Sequence, residues 1–495
     1  MVSPRSARLA CLAGLAGLYL LCLRAYYVGF FNDDAFYLIG ARSLLAGGFR
    51  ELNVPGAPPM TIYMPGYPLL LAQWSWLAGS STLAAQLLSV ALTTAGMGLM
   101  WACFAPELPA QTAVAVWTVA ALNPLTVCIS GTVLSDIPFL VVTLLVFLAA
   151  RAVWEEGSDP AWAGLGVMTG AAFLIRPTGA ALILALLLCL LWEKRWGRAV
   201  WCAAGAALVT LPWLARNIIV GGTPLPYASQ LAAAWGSGPA VGGLPARLAR
   251  NAAFYGPELF WRTLFRWPAW PGAALLKWTT VLLGLAATAV GLREWGVKGW
   301  RKLLTVYLLV YAALHLQLHL QSGRYIFTAL PMAAPLFFLG LAAADRRLAW
   351  KGRLVLGAVA LSLALSLAPV ANIVRASLWR RTPINTPPLK TVAWIRNATL
   401  PTDLFAADLD GRLFLLTGRR TVRLRKLYEP GAFAAWLKDA RVDYVLVAPN
   451  DYFMTTAAGG TTHDPMPPDR LRPLLCGARR VFADAEEGVE IYQVR

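Results

Sequence analysis

Two adjacent acids, Asp33 and Asp34, stand where the first apolar stretch of the chain ends. A carboxylate in such a place can act as a general base for a hydroxyl, or as a metal ligand, while its neighbour orients it. The plainer alternative is a cap for the short amphipathic helix expected from Ala35 to Ala46, a place that suits Asp well. The same stretch closes with Tyr63, Pro65, Tyr67 and Pro68. Other ionisable residues lie within or at the ends of apolar runs, where charge is costly and points to function. Asp136 opens one run in SGTVLSDIPF, either as a site residue or, with Ser135 or Asp136 as the cap, at the start of a helix with Pro138 in its first turn. Arg176 in FLIRPTG, Arg216 in PWLARN and Arg324 in QSGRYIF end or begin runs, where a guanidinium can grip a phosphate with two hydrogen bonds. Lys277 and Arg24 lie inside runs, where reaching for the headgroups competes with phosphate binding. His315 and His319 are four apart on one helix face; without an acid between them they suit cavity-lining contacts better than a metal.

The elements that must position these groups are membrane helices. The chain is 58% hydrophobic and 14% charged over 495 residues, against about 25% charged in soluble domains. Runs of about the 20 residues needed to cross a bilayer recur through the first three quarters. They are expected at Leu9 to Phe30, 82–104, 110–128, 136–152, 162–175, 178–192, 199–214, 271–292, 303–320, 326–344 and 354–374, about eleven spans in all. The pair around Arg176 is short for two full crossings. The net charge of +18 sits in short loops and in the tail, without a basic stripe on a soluble helix, so it points to anionic lipid and not to nucleic acid. The seven cysteines show no paired spacing and support neither a disulfide framework nor a zinc site.

With the N-terminus cytoplasmic, the inside loops are short and rich in Lys and Arg, including Arg151, Lys194, Arg195, Lys298, Arg301 and Arg346. The outside loops are longer and sparser in them. The loop 31–68 then lies outside, and all the candidate ionisable residues lie at or towards the outside face. The chain divides on this reading into a membrane domain, 1–374, and an extracytoplasmic α/β domain, 375–495. In that domain Leu389 to Ala398 and Pro430 to Ala440 read as helices. Leu404 to Ala407, Tyr444 to Ala448 and Val489 to Val494 read as strands, and Thr455 to Pro468 as a loop containing His463.

These pieces resemble the GT-C superfamily of integral membrane glycosyltransferases, and within it the bacterial relatives of protein O-mannosyltransferases and of the lipid A aminoarabinose transferase. The resemblance rests on the order and spacing of NDDAFYLIGARSLLAGG, YMPGYPLLLAQWSWLAG, LSDIPFLVVTLLVFLAAR, GAAFLIRPTGAALI, LPWLARNIIVGGTPLP and SGRYIFTALPMAAPLFFLG. It extends to LKTVAWIRNATLPTDLFAADLDGRLFLLTGRRTV in the tail. The resemblance implies a helical polytopic membrane protein that takes a sugar from a polyprenyl-phosphate donor and gives it to an envelope glycan, lipid or protein outside the plasma membrane. It implies that Asp33 or Asp34 activates the acceptor. It allows a divalent metal (Mg, Mn or Zn), for which no compact ligand set is visible; Asp136, Tyr63, His315 and His319 are the candidates for a substrate or metal site. Asp-Asp stands where the mannosyltransferases have Asp-Glu, and their lumenal insert is absent, which argues against a protein acceptor.

The residues support that chemistry without the family. A lipid phosphate leaves readily, so the reaction needs cationic stabilisation of the phosphate, from Arg176, Arg216, Arg324 or Lys277, and one base. A single carboxylate favours one displacement with inversion. A transporter or flippase of lipid-linked sugars is the competing reading; inverted repeats and midplane charges, its usual signs, are absent from the sequence. A scaffold would leave the two acids as a helix cap only.

Overall fold

The first apolar stretch forms a helix, Pro4–Leu21, that stops well short of Phe30. From Arg24 the side chains turn on one another: Tyr26 meets Phe30 and Phe31 at ring distances of 5.0 and 4.8 Å, and Tyr27 meets Phe30 edge-on at 5.8 Å. The expected span to Phe30 is thus corrected. Its last third is apolar because it packs as an aromatic knot, not because it continues the helix. The computed structural model describes residues 4–226, 243–267, 272–318, 321–379, 381–425, 427–448 and 466–495.

Every span expected from the sequence contains a helix, but their lengths differ. Six are long and apolar enough to cross a membrane among the described residues: Thr82–Glu107, Asp136–Val153, Trp196–Gly221, Ala274–Trp295, Arg324–Arg347 and Arg353–Trp379. The span expected at 110–128 is two helices, Ala110–Ala121 and Pro124–Ile129. They are separated where the Asn123 side chain accepts from the Leu125 N–H and Pro124 opens the new helix. The pair around Arg176 is Asp159–Ile175 and Ala180–Trp192, about 25 and 20 Å long at 1.5 Å per residue, joined by a single 3-10 turn, Pro177–Gly179.

The chain folds into two compact units. One comprises Met1–Leu23, Leu87–Gly131 and Ser135–Arg375; the other comprises Arg24–Gln86, Thr132–Leu134 and Ala376–Arg495. The loop 31–68 therefore belongs to the same unit as the C-terminal residues.

The first unit is helical. Its tightest crossings are made by glycines. A Cβ at Gly166 would overlap the Cys202 carbonyl, and one at Gly205 the Ala163 carbonyl, so Asp159–Ile175 and Trp196–Gly221 lie backbone against backbone. Gly291 and Gly340 do the same for Ala274–Trp295 and Arg324–Arg347. In a bilayer, where no hydrophobic force draws helices together, such close approach supplies the dispersion contacts that do.

The second unit is built on a five-stranded sheet: β1 Leu404–Ala407, β2 Arg420–Arg423, β3 Tyr444–Val447, β4 Arg479–Asp484 and β5 Val489–Gln493. The order is β2-β1-β3-β5-β4, with the β2-β1 and β1-β3 pairs parallel and the β3-β5 and β5-β4 pairs antiparallel. Alternation along the strands makes two cores. Leu404, Ala406, Val445 and Val447 face Phe433 and Leu437 of Pro430–Asp439 and Leu471 of Pro468–Leu474. Phe405, Ala407 and Ile491 face Ile395 of Leu389–Ala398 and Leu413 of Asp410–Thr417. The helices and strands expected in the tail are present with ends within a residue. The loop expected at Thr455 to Pro468, with His463, lies outside the described residues up to 465.

Candidate functional site

Asp33 and Asp34 are the first two residues of the helix Asp33–Leu45, in the first turn, where negative charge complements the helix dipole. Their environments separate them. Asp34 is buried, with 2% of its surface exposed. One of its oxygens accepts from the Gly29 N–H at 2.7 Å and the other from the Ala35 N–H at 3.0 Å. Burial pushes Asp34 up to about 7; the Gly29 N–H opposes this, the Asp33 charge adds to it and the Arg412 guanidinium opposes it. Asp33 is half-buried, and its carboxylate accepts from the Tyr63 hydroxyl at 3.2 Å. Tyr63 is fixed by stacking on Phe36 (4.7 Å, 17°) and by an edge contact with Tyr37 at 5.7 Å. Burial, with the Asp33 charge adding, raises the Tyr63 hydroxyl well above its usual range, so it stays a neutral donor.

Residues that the sequence did not single out hold this loop. Asn32, just before the helix, sits at φ 60°, ψ −40° and is buried. Its amide Nδ2 donates to Asp410 at 3.4 Å and its Oδ1 accepts from the Arg412 N–H at 2.9 Å. Arg412 also donates through its guanidinium to the Gly29 and Phe30 carbonyls, at 3.0 Å each. Asn53 donates to the other Asp410 oxygen at 3.3 Å. Burial raises Asp410 above the usual carboxylate range, with Arg423 opposing, and burial with the Asp410 charge pushes Glu51 up to about 7. A signal for these residues was available. Asp-Gly-Arg at 410–412 follows β1 after two residues, at the carboxyl end of a parallel strand, where α/β sheets place function.

In the helical unit, Asp136 begins the helix Asp136–Val153. The Ser135 side chain makes no capping bond there, so the capping reading gives way. Asp136 is fully buried, with one oxygen on Arg176 at 2.5 Å and the other on Arg324 at 2.8 Å. Three helix ends thus bring two guanidiniums onto one carboxylate, a cluster of net charge +1. The Arg176 guanidinium lies 5.8 Å from the Tyr325 ring centre, and Tyr325 stands 4.6 Å from the His315 ring. The Tyr311 hydroxyl donates to the Tyr325 carbonyl at 3.0 Å. His315 Nδ1 sits 2.7 Å from the Tyr311 carbonyl, which fixes that nitrogen as the donor, and its buried Nε2 has no hydrogen-bond partner.

The remaining candidates are not drawn into this cluster. Arg216 donates to Asn217 Oδ1 at 3.0 Å and lies over the Trp213 ring at 4.9 Å. Lys277 lies over Trp278 at 5.4 Å. His319 is outside the described residues. Among the described residues no group of three or more His, Cys, Asp or Glu side chains is placed to hold a metal ion.

Residues 58–219 match the family model described as dolichyl-phosphate-mannose-protein mannosyltransferase. No curated protein matches the sequence significantly. Among solved structures, ArnT from Cupriavidus metallidurans bound to undecaprenyl phosphate is similar, with a TM-score of 0.59 at 14% identity over 98% of each chain. The same protein in its apo state gives 0.60 at 14% identity over 100% of this chain and 99% of that one. The oligosaccharyltransferase from Archaeoglobus fulgidus, tethered to an acceptor peptide, gives 0.58 at 13% identity over 92% of this chain and 70% of its own. The architecture expected from the sequence motifs, a helical GT-C-type membrane fold with a small C-terminal α/β part, is the one this chain adopts.

Proposed function

We propose that the chain moves a sugar from a polyprenyl-phosphate donor to an acceptor hydroxyl at the outer face of the plasma membrane. The observation that carries this reading is the division within the acidic pair. Both Asp34 oxygens accept from backbone N–H groups in a buried setting, whereas Asp33 is half-exposed and accepts from a side-chain hydroxyl, that of Tyr63. Asp33 is the base and Asp34 holds the loop.

In the reaction the acceptor oxygen bonds to the anomeric carbon as the bond from that carbon to the phosphate oxygen breaks. The acceptor proton goes to Asp33. The electron pair leaves with the lipid phosphate, whose growing charge needs cations and no proton. We assign this need to Arg176 and Arg324, whose guanidiniums Asp136 gathers at one carboxylate. Both oxygens of Asp34 and of Asp410 accept from amide donors, which supports the reading of one reacting carboxylate and a single displacement with inversion. The undecaprenyl phosphate of the ArnT structure and the acceptor peptide of the oligosaccharyltransferase indicate the kinds of substrate such a fold accepts. A glycan or lipid acceptor suits the lack of a lumenal insert.

The test uses purified protein with radiolabelled polyprenyl-phosphate sugars and envelope acceptors. Wild type should transfer label. Asp33→Asn should lose turnover by roughly 100-fold or more while still binding donor. Arg176→Gln should weaken donor binding. Saturable donor binding without transfer to any acceptor would favour a transporter.

A further inference from the structure

We propose that the turn 410–412 positions Asp33 by gripping Asn32 from both ends of its amide, so that the C-terminal part of the chain sets the aim of the base. The inference rests on reading Asp33 as the base.

Asn32 is the residue whose backbone decides where Asp33 points. It stands in a conformation that L-residues rarely adopt, with φ at +60°, and it persists there only if it is held. Both ends of its side chain are held by one short turn: Nδ2 by the Asp410 carboxylate and Oδ1 by the Arg412 N–H. Between those two residues, Gly411 has no room for a side chain. A Cβ there would come within 2.8 Å of the Phe36 ring and 3.1 Å of Asn32 Oδ1. The turn therefore sits directly on Asn32 and on the helix that begins with Asp33. The Arg412 guanidinium fixes the two preceding carbonyls, Gly29 and Phe30. Asn53 shares Asp410 from the far side of the loop, and its own carbonyl accepts from the Thr421 N–H of β2 at 2.7 Å. The base is thus referenced to the sheet through an unbroken series of hydrogen bonds.

A grip of this kind adds nothing to donor affinity but fixes the attack geometry. Misplacement of a catalytic group by about 1 Å can cost on the order of 100-fold in rate. Bonds that serve only folding would instead change the amount of folded protein and leave each folded molecule fully active.

The experiment measures kcat, donor KM and melting temperature of the full-length protein for Asn32→Gly, Asp410→Asn and Gly411→Ala, each alone and combined with Asp33→Asn. Asn32→Gly is the informative variant, because glycine tolerates the backbone angle but removes both grips. The expected result is a fall in kcat of roughly 10- to 100-fold with donor KM unchanged within twofold. In the Asp33→Asn background the same changes should cost nothing further, since they act through the missing base. Full kcat in Asn32→Gly, or equal losses with and without Asp33, would overturn the proposal. Full activity in Asp33→Asn alone would instead overturn the reading of the base, a separate outcome. If Asp410→Asn does not fold, Asn32→Gly and Gly411→Ala still decide the question.

Discussion

At the scale of single residues, the two neighbouring aspartates differ by what each carboxylate touches, and that difference has a measurable sign. Asp34 and Glu51 both lie near 7 in the folded protein, raised first by burial. An unfolded chain releases these protons at about pH 4. Between about pH 4 and 7 the folded state therefore binds more protons than the unfolded one, and stability falls as pH rises. The contribution is fully present below about pH 4 and is lost as pH passes through about 7. Thermal unfolding of the purified protein should show a lower melting temperature at pH 8 than at pH 5.5. Asp34→Asn should flatten part of that slope; an unchanged slope in this variant would remove Asp34 from the account. Asp136 is held by charge on both sides. Its loss in Asp136→Ala leaves two mostly buried guanidiniums facing each other, and breaking a buried ion pair costs about 3–5 kcal/mol. Asp136→Ala should fold poorly, and Asp136→Asn should fold better but bind donor less tightly because its arginines are no longer fixed. Donor-binding titration of the Asn variant checks this, and wild-type affinity would count against Asp136 as the residue that orients the arginines.

At the scale of elements, the helix crossings make a sharper prediction than their hydropathy does. Gly205 and Gly340 face the backbone of a neighbouring helix, so any side chain there must drive two helices apart. Gly340→Val should lower the melting temperature in detergent far more than Gly357→Val, since a Cβ at Gly357 meets nothing within 4 Å. Equal effects at the two positions would mean that the close crossing contributes little. The same elements explain what could be read in advance. Apolar runs and turn residues gave a helix in every expected span, the helix after Asn32, two of the four described helices of the tail and three of the five strands, because those signals are local. β2, Arg420–Arg423, was not legible: it carries two exposed arginines at its ends and earns its place by pairing with β1. The early end of the first helix was not legible either, since an aromatic knot and a membrane span have the same composition. Arg176, Asp136 and Arg324 were each visible as costly charges at helix ends. That they share one carboxylate depends on which helices pack together, and no single run of sequence carries that. Asn32 and Asp410, 378 positions apart, were invisible for the same reason.

At the scale of the whole molecule, the helical unit is charged at both ends, and the two ends are built differently. At one end Asp136 holds Arg176 and Arg324 out of water. The helix that starts at Asp136 runs about 27 Å to Val153, close to the thickness of a bilayer core. Near its far end Arg151 pairs with Glu107, which also binds Arg301, while Lys302 pairs with Glu193 at 2.6 Å. This second end carries the short basic loops, with Lys194, Arg195, Arg198 and Lys298 exposed or half-exposed around the paired groups. The positive-inside rule assigns it to the cytoplasm. The proposed reaction requires the arginine-bearing end to lie outside, and Asp33 with it. The thiols test this assignment. Cys11 and Cys476 are the exposed cysteines, so Cys11→Ala leaves Cys476 as the reporter in the sheet unit. Lys298→Cys, with Cys476→Ala added, reports on the basic end. A membrane-impermeant maleimide should label Cys476 in intact cells, or in spheroplasts if an outer membrane intervenes. It should reach position 298 only after the plasma membrane is opened. The reverse pattern would place Asp33 and the C-terminal sheet in the cytoplasm, and with them the acceptor, and the proposed reaction at the outer face would have to be abandoned.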